Sequence, residues 1–338
     1  MVSLALAHEP SVVEGLRPVN LQTDLAPLAD LIELAFADSM DGQGRAAVRE
    51  MRTLSRMRPA VHVLLGVNDL MQGISLGYVW IADGKLVGNV SIYPADIPRH
   101  LGRTWIIANV AVHPDYRGQG IARQMMQAAM TAIQAKGSAA ILQVDADNMI
   151  AQRLYERLGF VRERLWTHYR RSSTTRVPSP IPTSEVRITR RRDDEWRAEY
   201  TLAQRVRPAE LGGMGWQRPL DAGLFRPSLI RSLRNLFNMR SLERLIVRAQ
   251  DERQIHAALW IETAFAVSTA QLTLIADPEY AGLYDEALLN LAVRRYGSRS
   301  PLSTDHPDDD AVGRQLFHRY GFYSQRTLLH MHWTAPKH

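Results

Sequence analysis

The sequence predicts a mixed α/β protein laid down twice in one chain. Three observations carry that expectation. Strand-like and helix-like stretches alternate throughout, a proline-rich break lies near the midpoint, and the segments on its two sides align with each other. A length of 338 residues also suits two domains of about 150 to 170 residues better than one.

The break is Ser172 to Ser184, SSTTRVPSPIPTS, which holds three prolines and neither period of apolar residues. Domains are therefore expected at 1–171 and 185–338, with 172–184 as the linker. The alignment is anchored on Leu158-Gly159-Phe160 and Tyr320-Gly321-Phe322. His113-Pro114-Asp115-Tyr116 then falls on Asp277-Pro278-Glu279-Tyr280, and Arg17 to Phe36 on Val186 to Val206. Several matches in one order argue for a duplicated domain.

In the first half, Arg17 opens a short strand, and Asp24 is expected to cap the amphipathic helix that follows. Gly77 to Ala82 and Leu86 to Tyr93 flank Asp83-Gly84, a hairpin turn signal. Trp105 to Val112 reads as a buried strand, Ile121 to Ala135 as a helix stopped at Gly137, and Ala139 to Val144 as a further strand. Met149 to Leu158 reads as a helix capped by Asp147 or Asn148 and ended by Gly159, and Phe160 to Tyr169 as the last strand. The second half repeats the order, with Asp193-Asp194 as the matching helix cap.

Hydrophobic residues make up 46% and charged residues 22%, which excludes a disordered or fibrous chain. The net charge of +6 is almost all arginine, since lysine occurs only at Lys85, Lys136 and Lys337. An anionic cofactor or plain solubility accounts for that excess, and no nucleic-acid partner is expected. The lack of cysteine removes disulfides, thiolate nucleophiles and zinc sites built on thiolates. Met1 to Pro10 has no basic n-region, and no stretch approaches the ~18 apolar residues of a membrane span, so a cytoplasmic protein without a membrane partner is expected.

Four further clusters have plain structural readings. Asp308-Asp309-Asp310 is placed to cap a helix rather than to hold a metal. Arg190-Arg191-Arg192 ends a strand as a solvated edge. Arg231 to Arg248 mixes Leu and Ile with arginines at helical spacing, as in an amphipathic surface helix or the wall of a substrate cleft. His330 and His332 alternate on the last strand without carboxylate or thiolate partners, so no metal is expected.

The segment that carries chemistry is Asn109 to Arg123, NVAVHPDYRGQGIAR. A strand ends at Val112, a loop containing Gly118 and Gly120 follows, and a helix begins near Ile121. The amides there form an anion site at a helix N-terminus, with Arg117 and Arg123 nearby to contact phosphate oxygens. No Gly-Lys-Ser/Thr follows, so this is not a P-loop. Taken alone, the loop could equally be a glycine turn between strand and helix.

Its surroundings resemble a known family. Arg117-x-x-Gly120-x-Ala122, the preceding Val110-Ala111-Val112-His113-Pro114, and Asn148-x-x-Ala151-x-x-Leu154-Tyr155-Glu156-x-x-Gly159-Phe160 are similar to the signature of the GCN5-related N-acetyltransferases. The resemblance covers about Arg17 to Arg170. It implies two tandem domains of that fold, each a mixed, mostly antiparallel sheet flanked by helices. It also implies transfer of acetyl from acetyl-CoA to an amine, on a small molecule or a protein N-terminus, with no metal.

By the same resemblance, backbone groups of the stretch Val110, Ala111 and Val112 pair with the pantetheine arm. The amides of Gly118, Gln119, Gly120, Ile121, Ala122 and Arg123 hold the pyrophosphate, with Arg117 beside them. Asn148 contacts the cofactor chain, and Tyr155 protonates the departing thiolate. An amine that attacks directly must lose a proton. Relatives that acetylate the N-terminus of a ribosomal protein usually have Glu where this chain has Gln143, and Gln cannot serve as the base. Asp145, two residues on and on the same face, is the candidate base. A water relay is the alternative, and His113 reads as structural. Arg45, Arg49, Arg52, Arg56 and Arg58 lie where the family shapes acceptor specificity, so an acceptor bearing an acid group, or contact with the cofactor phosphates, is expected.

The second half departs from the pattern. Arg117 is matched by Ala281, Gly120 by Tyr284 and Tyr155 by Phe317, and Asp285 and Glu286 stand at the helix start. That copy is expected to keep the fold and bind no CoA. A tandem pair can imitate a dimer within one chain, so a monomer or a homodimer is expected. The rival reading is a CoA-binding sensor or scaffold that does not catalyse.

Overall fold

The computed structural model describes residues 14–336 except 38–39, 41, 57–76, 137, 183–185, 231–232, 234–236, 249–253 and 266. The chain divides into two compact units. One is Met1–Leu142 with Arg153–Val161 and His332–His338; the other is Gln143–Gln152 with Arg162–Met331. These units do not follow the linear halves, because the strand after Phe160 belongs to the second.

The first unit runs β1 (Gly15–Pro18), α1 (Leu25–Ala35), α2 (Gly42–Ser55), β2 (Tyr78–Ala82), β3 (Lys85–Pro94), β4 (Thr104–Val112) and α3 (Ile121–Gln134). The chain then enters β5 (Ala139–Asp145) and α4 (Met149–Arg157), each shared with the second unit. Strands β1 to β4 pair antiparallel in sequence order, and β5 joins β4 in parallel. The β2–β3 turn uses Asp83 and Gly84 at φ 52° and 70°, the left-handed pair that a two-residue hairpin requires.

Helix α3 buries Ile121, Met125, Met126, Ala129, Met130 and Ile133, one face at helical spacing. A separate cluster joins Leu25, Leu28, Ala29 and Ile32 of α1 to Val48 and Met51 of α2. Asp24 stands at the start of α1 without capping it by its side chain. Its carboxylate turns back to Arg17 at 2.6 and 2.8 Å and to the Asn20 N–H at 2.7 Å. The guanidinium offered two charge-assisted bonds, and the expected cap was lost to it.

The second unit runs β6 (Val161–Arg171), β7 (Arg187–Arg190), α5 (Trp196–Val206), α6 (Ala222–Phe225), β8 (Arg240–Arg248), β9 (Ile255–Ala264), β10 (Val267–Ala276), α7 (Tyr284–Tyr296), β11 (Leu302–Pro307), α8 (Ala311–Arg319) and β12 (Tyr323–Thr334), save that Val161 and the end of β12 from His332 are counted with the first. Its sheet order is β7-β8-β9-β10-β11-β6-β12. Strand β6 lies antiparallel to β11, from Leu302 opposite Arg171 to Pro307 opposite Trp166. Its core is built on Leu245, Val247, Leu259, Leu272, Leu274, Leu288, Leu316 and Phe317.

Two expectations are corrected here. Arg240–Arg248 is a strand, not the end of an amphipathic helix. Leu242, Leu245 and Ile246 suit either period, and pairing with β9 on one side and β7 on the other decides for the strand. Of Arg190-Arg191-Arg192, only part is a solvated edge: the Arg191 side chain is buried 3.3 Å from Glu199, a carboxylate that also takes bonds from Arg244 and from the Trp260 indole. The α5 cap falls at Glu195, past the expected aspartates, where Glu195 accepts the Arg192 N–H at 2.6 Å. Asp310 caps α8 as expected, accepting the Gly313 N–H at 2.9 Å.

Candidate active site

The cleft of the first unit begins where β4 and β5 part. They pair from Thr104 opposite Ala139 to Ile106 opposite Ile141, and no pairing follows. On its other edge β4 stays paired with β3, but the register shifts between Asn89 and Ser91. The extra residue is Asn109, at φ 52°. This is a β-bulge, and it bends β4 away from β5.

Four buried or half-buried polar groups hold the bulge. The Asn89 side-chain amide donates to the Asn109 carbonyl at 2.8 Å, and the Asn109 amide donates to Tyr93 Oη at 3.1 Å and toward Ser91 Oγ at 3.4 Å. Asn89 and Ser91 are fully buried. None of these residues was assigned a role from the sequence. An Asn beside apolar strand residues was the available signal, since Asn tolerates the left-handed region better than most residues.

Beyond the bulge the His113 N–H donates to the Val87 carbonyl, so by alternation the amide of Val112 faces the open edge. Arg117 folds back, its Nε donating to the Val112 carbonyl at 3.1 Å. His113 caps the Pro114–Tyr116 turn through Nδ1, and Tyr116 reaches Asp83 at 2.7 Å. These bonds fix the exit of the loop and give His113 the structural role expected of it.

Next come Gly118 and Gly120, both at φ 79°, with nothing within 4 Å of where a Cβ would sit. The positive φ at each accounts for the glycine, and the space in front of the backbone is clear. Helix α3 starts immediately after, with no acidic residue in its first turn. Among the described residues no protein acceptor takes the N–H groups of Gly118 to Arg123. Exposed amides at a helix N-terminus, with the Arg123 side chain exposed nearby, form a cradle that fits a diphosphate.

Tyr155 is in the same unit as this cradle, 6% exposed and packed against Phe160. Burial raises its pKa, so the phenol holds its proton at neutral pH. Asn148 and Asp145 fall in the second unit. Asn148 caps α4, its Oδ1 accepting the Ala151 N–H at 3.1 Å. Asp145 is clamped by Arg326, with bonds of 2.6 and 2.9 Å to its two oxygens. Both carboxylate oxygens are thus engaged by the guanidinium fork.

Among the α2 arginines, Arg52 is tied to Asp30 at 2.7 Å and Glu33 at 2.5 Å, so it faces α1 rather than a ligand. Arg45 donates to the Met40 carbonyl at 2.6 Å. Arg58 lies outside the described residues.

The corresponding places in the second unit are filled by its own side chains. Strands β10 and β11 pair from Ala270 opposite Leu302 to Leu272 opposite Thr304 and then part. There is no bulge here, since β10 runs against β9 from Leu272 to Ala276 in constant register. Arg207, 2% exposed, bridges the opening with bonds to the Leu274 carbonyl at 2.8 Å and His306 Nδ1 at 3.3 Å. His306 Nε2 is held in turn by Asp310 at 2.8 Å. At the helix start the Asp285 carboxylate accepts the N–H of Gly282 and of Glu286, at 2.7 and 2.9 Å. Phe317, at the position matching Tyr155, is fully buried.

Residues 51–160 match the acetyltransferase (GNAT) family. Over 94 residues the chain is 36% identical to N-alpha-acetyltransferase 30 of Schizosaccharomyces pombe, a match spanning 27% of this chain and 62% of that protein. Among solved structures, a GCN5-related N-acetyltransferase from Sphaerobacter thermophilus superposes with a TM-score of 0.58 at 16% identity, covering 95% of this chain and 96% of that one. The GCN5-related glucosamine N-acetyltransferase region of a fungal multi-domain GH3 β-N-acetylglucosaminidase gives 0.55 at 14% identity, over 96% of this chain and 39% of that one. At such identities the likeness to these two structures is one of fold. The sequence match falls on the segment that builds the cradle, so residues 51–160 are similar to the acetyltransferase (GNAT) family, and the chain spans less than two thirds of the length of the curated relative that it matches.

Proposed function

We propose that the first unit binds acetyl-CoA and moves its acetyl group to a primary amine, on a small molecule or a peptide, by direct attack. The observation that carries this reading is the row of unpartnered amides from Gly118 to Arg123, beyond a bulge that opens β4. Those amides would receive the pyrophosphate, and the open edge at Val110 and Val112 would receive the pantetheine arm as an added strand. The amine nitrogen bonds the acetyl carbon, the carbon–sulfur bond breaks, and the thiolate leaves.

Tyr155 is the group assigned to the leaving thiolate. Its raised pKa keeps it a donor, and no other hydrogen bond engages its hydroxyl among the described residues. With Asp145 clamped by Arg326, a water relay is the better acceptor for the amine proton. The second unit is read as a copy without a CoA site, because its helix-start amides meet Asp285 and its strand opening holds Arg207.

Calorimetric titration with acetyl-CoA tests the reading. One site per chain, lost on Gly120→Tyr, supports it; no binding at millimolar ligand removes it.

A further inference from the structure

In the second unit, large apolar side chains stand out of the surface at one end of β8 to β10. Leu229, Ile230 and Phe237, from the segment before β8, are 89%, 83% and 79% exposed, and Phe265, at the β9–β10 turn, is 86% exposed. Leu233 and Met239 are each more than half exposed. Leu229, Ile230, Leu233 and Phe237 are helical, and their spacing puts them on one face. Met239 is tied to the hairpin tip, its carbonyl accepting the Phe265 N–H at 3.1 Å, and Arg240 pairs opposite Ala264. The stripe therefore runs into the hairpin tip. Single exposed apolar residues need no explanation, but a stripe gathered in one place marks a contact surface.

The charge around the stripe has one sign. From Ala222 to Leu242 the sequence has four arginines, Arg226, Arg231, Arg234 and Arg240, and no acid. The flanking acids are engaged elsewhere. Asp221 accepts the Gly223 N–H at 2.8 Å, and Glu243 accepts from Arg295 and from Tyr296, each at 2.8 Å. Glu262, on β9 near the turn, is paired with Arg218. Arg226 lies over the Trp196 ring at 4.8 Å, and among the described residues neither it nor Arg240 has a carboxylate partner. The apolar stripe is edged by uncompensated positive charge.

That combination selects the occupant. A second copy of this chain would set arginine against arginine across a two-fold axis. A peptide calls for a groove, whereas these side chains project singly into solvent. An anionic bilayer matches both features: the apolar groups enter the acyl boundary, and the guanidiniums stay at the headgroup level, where they donate paired hydrogen bonds to phosphate. No helix among the described residues is long and apolar enough to cross a membrane, so the contact is with the surface. The expectation of no membrane partner rested on the lack of a span, and a surface contact needs none.

We propose that the second unit docks on anionic lipid bilayers through Leu229, Ile230, Leu233, Phe237, Met239 and Phe265, with Arg226 and Arg240 at the headgroups. The docking surface lies wholly within the second unit and stands independently of the acetyl-CoA reading of the first.

The test is co-sedimentation of the full chain with vesicles of phosphatidylcholine, alone or with about one third phosphatidylserine. The chain is expected to bind the mixed vesicles about tenfold or more tightly than the neutral ones, and to lose most of that binding between ~0.1 and ~0.5 M salt. Phe237→Asp combined with Phe265→Asp should weaken binding about tenfold or more, and Arg226→Gln combined with Arg240→Gln about tenfold. These side chains are exposed, so thermal unfolding midpoints should stay at the wild-type value. No binding to mixed vesicles, equal binding to both kinds, or full binding by the Phe237→Asp, Phe265→Asp variant overturns the proposal. So does a dimer in analytical ultracentrifugation that the same variant dissociates, since a second copy would then cover the stripe.

Discussion

The Asp285 carboxylate accepts the Gly282 N–H at 2.7 Å, so the helix-start amides of the second unit already hold an anion of the protein's own. The matching amides of the first unit, from Gly118 to Arg123, have no such partner among the described residues. With Arg207 bridging Leu274 and His306 as well, one acetyl-CoA per chain is expected by calorimetry. Asp285→Ala alone should not create a second site, because Arg207 remains in the opening. Two sites in the wild type would refute the reading of the second unit.

Tyr155→Phe removes one hydroxyl from a buried ring and leaves its packing on Phe160 in place. The expected result is a fall in kcat of about 100-fold or more, the usual worth of a positioned proton donor, with acetyl-CoA affinity nearly unchanged. Steady-state kinetics and calorimetry on the same preparation decide it. Unchanged turnover would strike Tyr155 from the mechanism.

The parts of this site that were legible in the sequence are those fixed by local rules. Gly118 and Gly120 announce a turn into a helix, Asp83-Gly84 a hairpin, and Asn148 and Asp310 helix caps, each because a few neighbouring residues decide the backbone. What escaped depends on distant partners. Strand β6 follows the first half in sequence and pairs with β11, 137 residues on at His168 and Asp305. Arg240–Arg248 has a pattern that fits helix and strand alike, and only its neighbours β7 and β9 choose. Asp24 was a sound cap by type, yet Arg17 took its carboxylate. Arg207 carries no local signal of burial at all.

Arg171 closes the chain segment after β6. Fully buried, its guanidinium donates to the carbonyls of Tyr320, Gly297, Ser172, Thr175 and Arg176, at 2.8 to 3.3 Å. Arg171→Ala leaves these carbonyls without their donor and should destabilise the second unit by about 3–5 kcal/mol. Arg171→Lys should recover little, because an ammonium cannot reproduce the planar fork. Urea unfolding measures both, and a loss below about 1 kcal/mol in the Ala variant would show that water replaces the guanidinium.

Acid should weaken the second unit well above the carboxylate range. Burial holds His306 and His330 each to about 4, against an ordinary 6.5. Asp310 acts to raise His306 while Arg207 and Arg164 lower it, and Glu163 and Asp305 act to raise His330; in both residues burial wins. Between those values the unfolded chain binds protons that the folded chain does not, so stability falls as pH drops from about 6.5 to 4. The full loss is about 3 kcal/mol for each histidine. Asp310, brought down to about 2 by the His306 bond although burial opposes it, loses its contribution only at more acid pH. Urea midpoints at pH 7 and 4.5 check the prediction, and equal midpoints would contradict it.

Asn109 separates backbone conformation from side-chain bonding in the cleft. Its φ of 52° makes the bulge, and its amide bonds to Tyr93 and Ser91 hold it. Glycine populates that region freely, whereas a β-branched residue pays about 1–2 kcal/mol to enter it. If the bulge is what opens β4 for the pantetheine arm, Asn109→Val should weaken acetyl-CoA binding about tenfold, and Asn109→Gly should stay within about threefold of wild type. If instead the amide bonds are what matter, Gly and Val should weaken binding alike. Calorimetry on the two variants distinguishes the cases, and wild-type affinity in Asn109→Val would mean that the opening between β4 and β5 does not depend on the bulge.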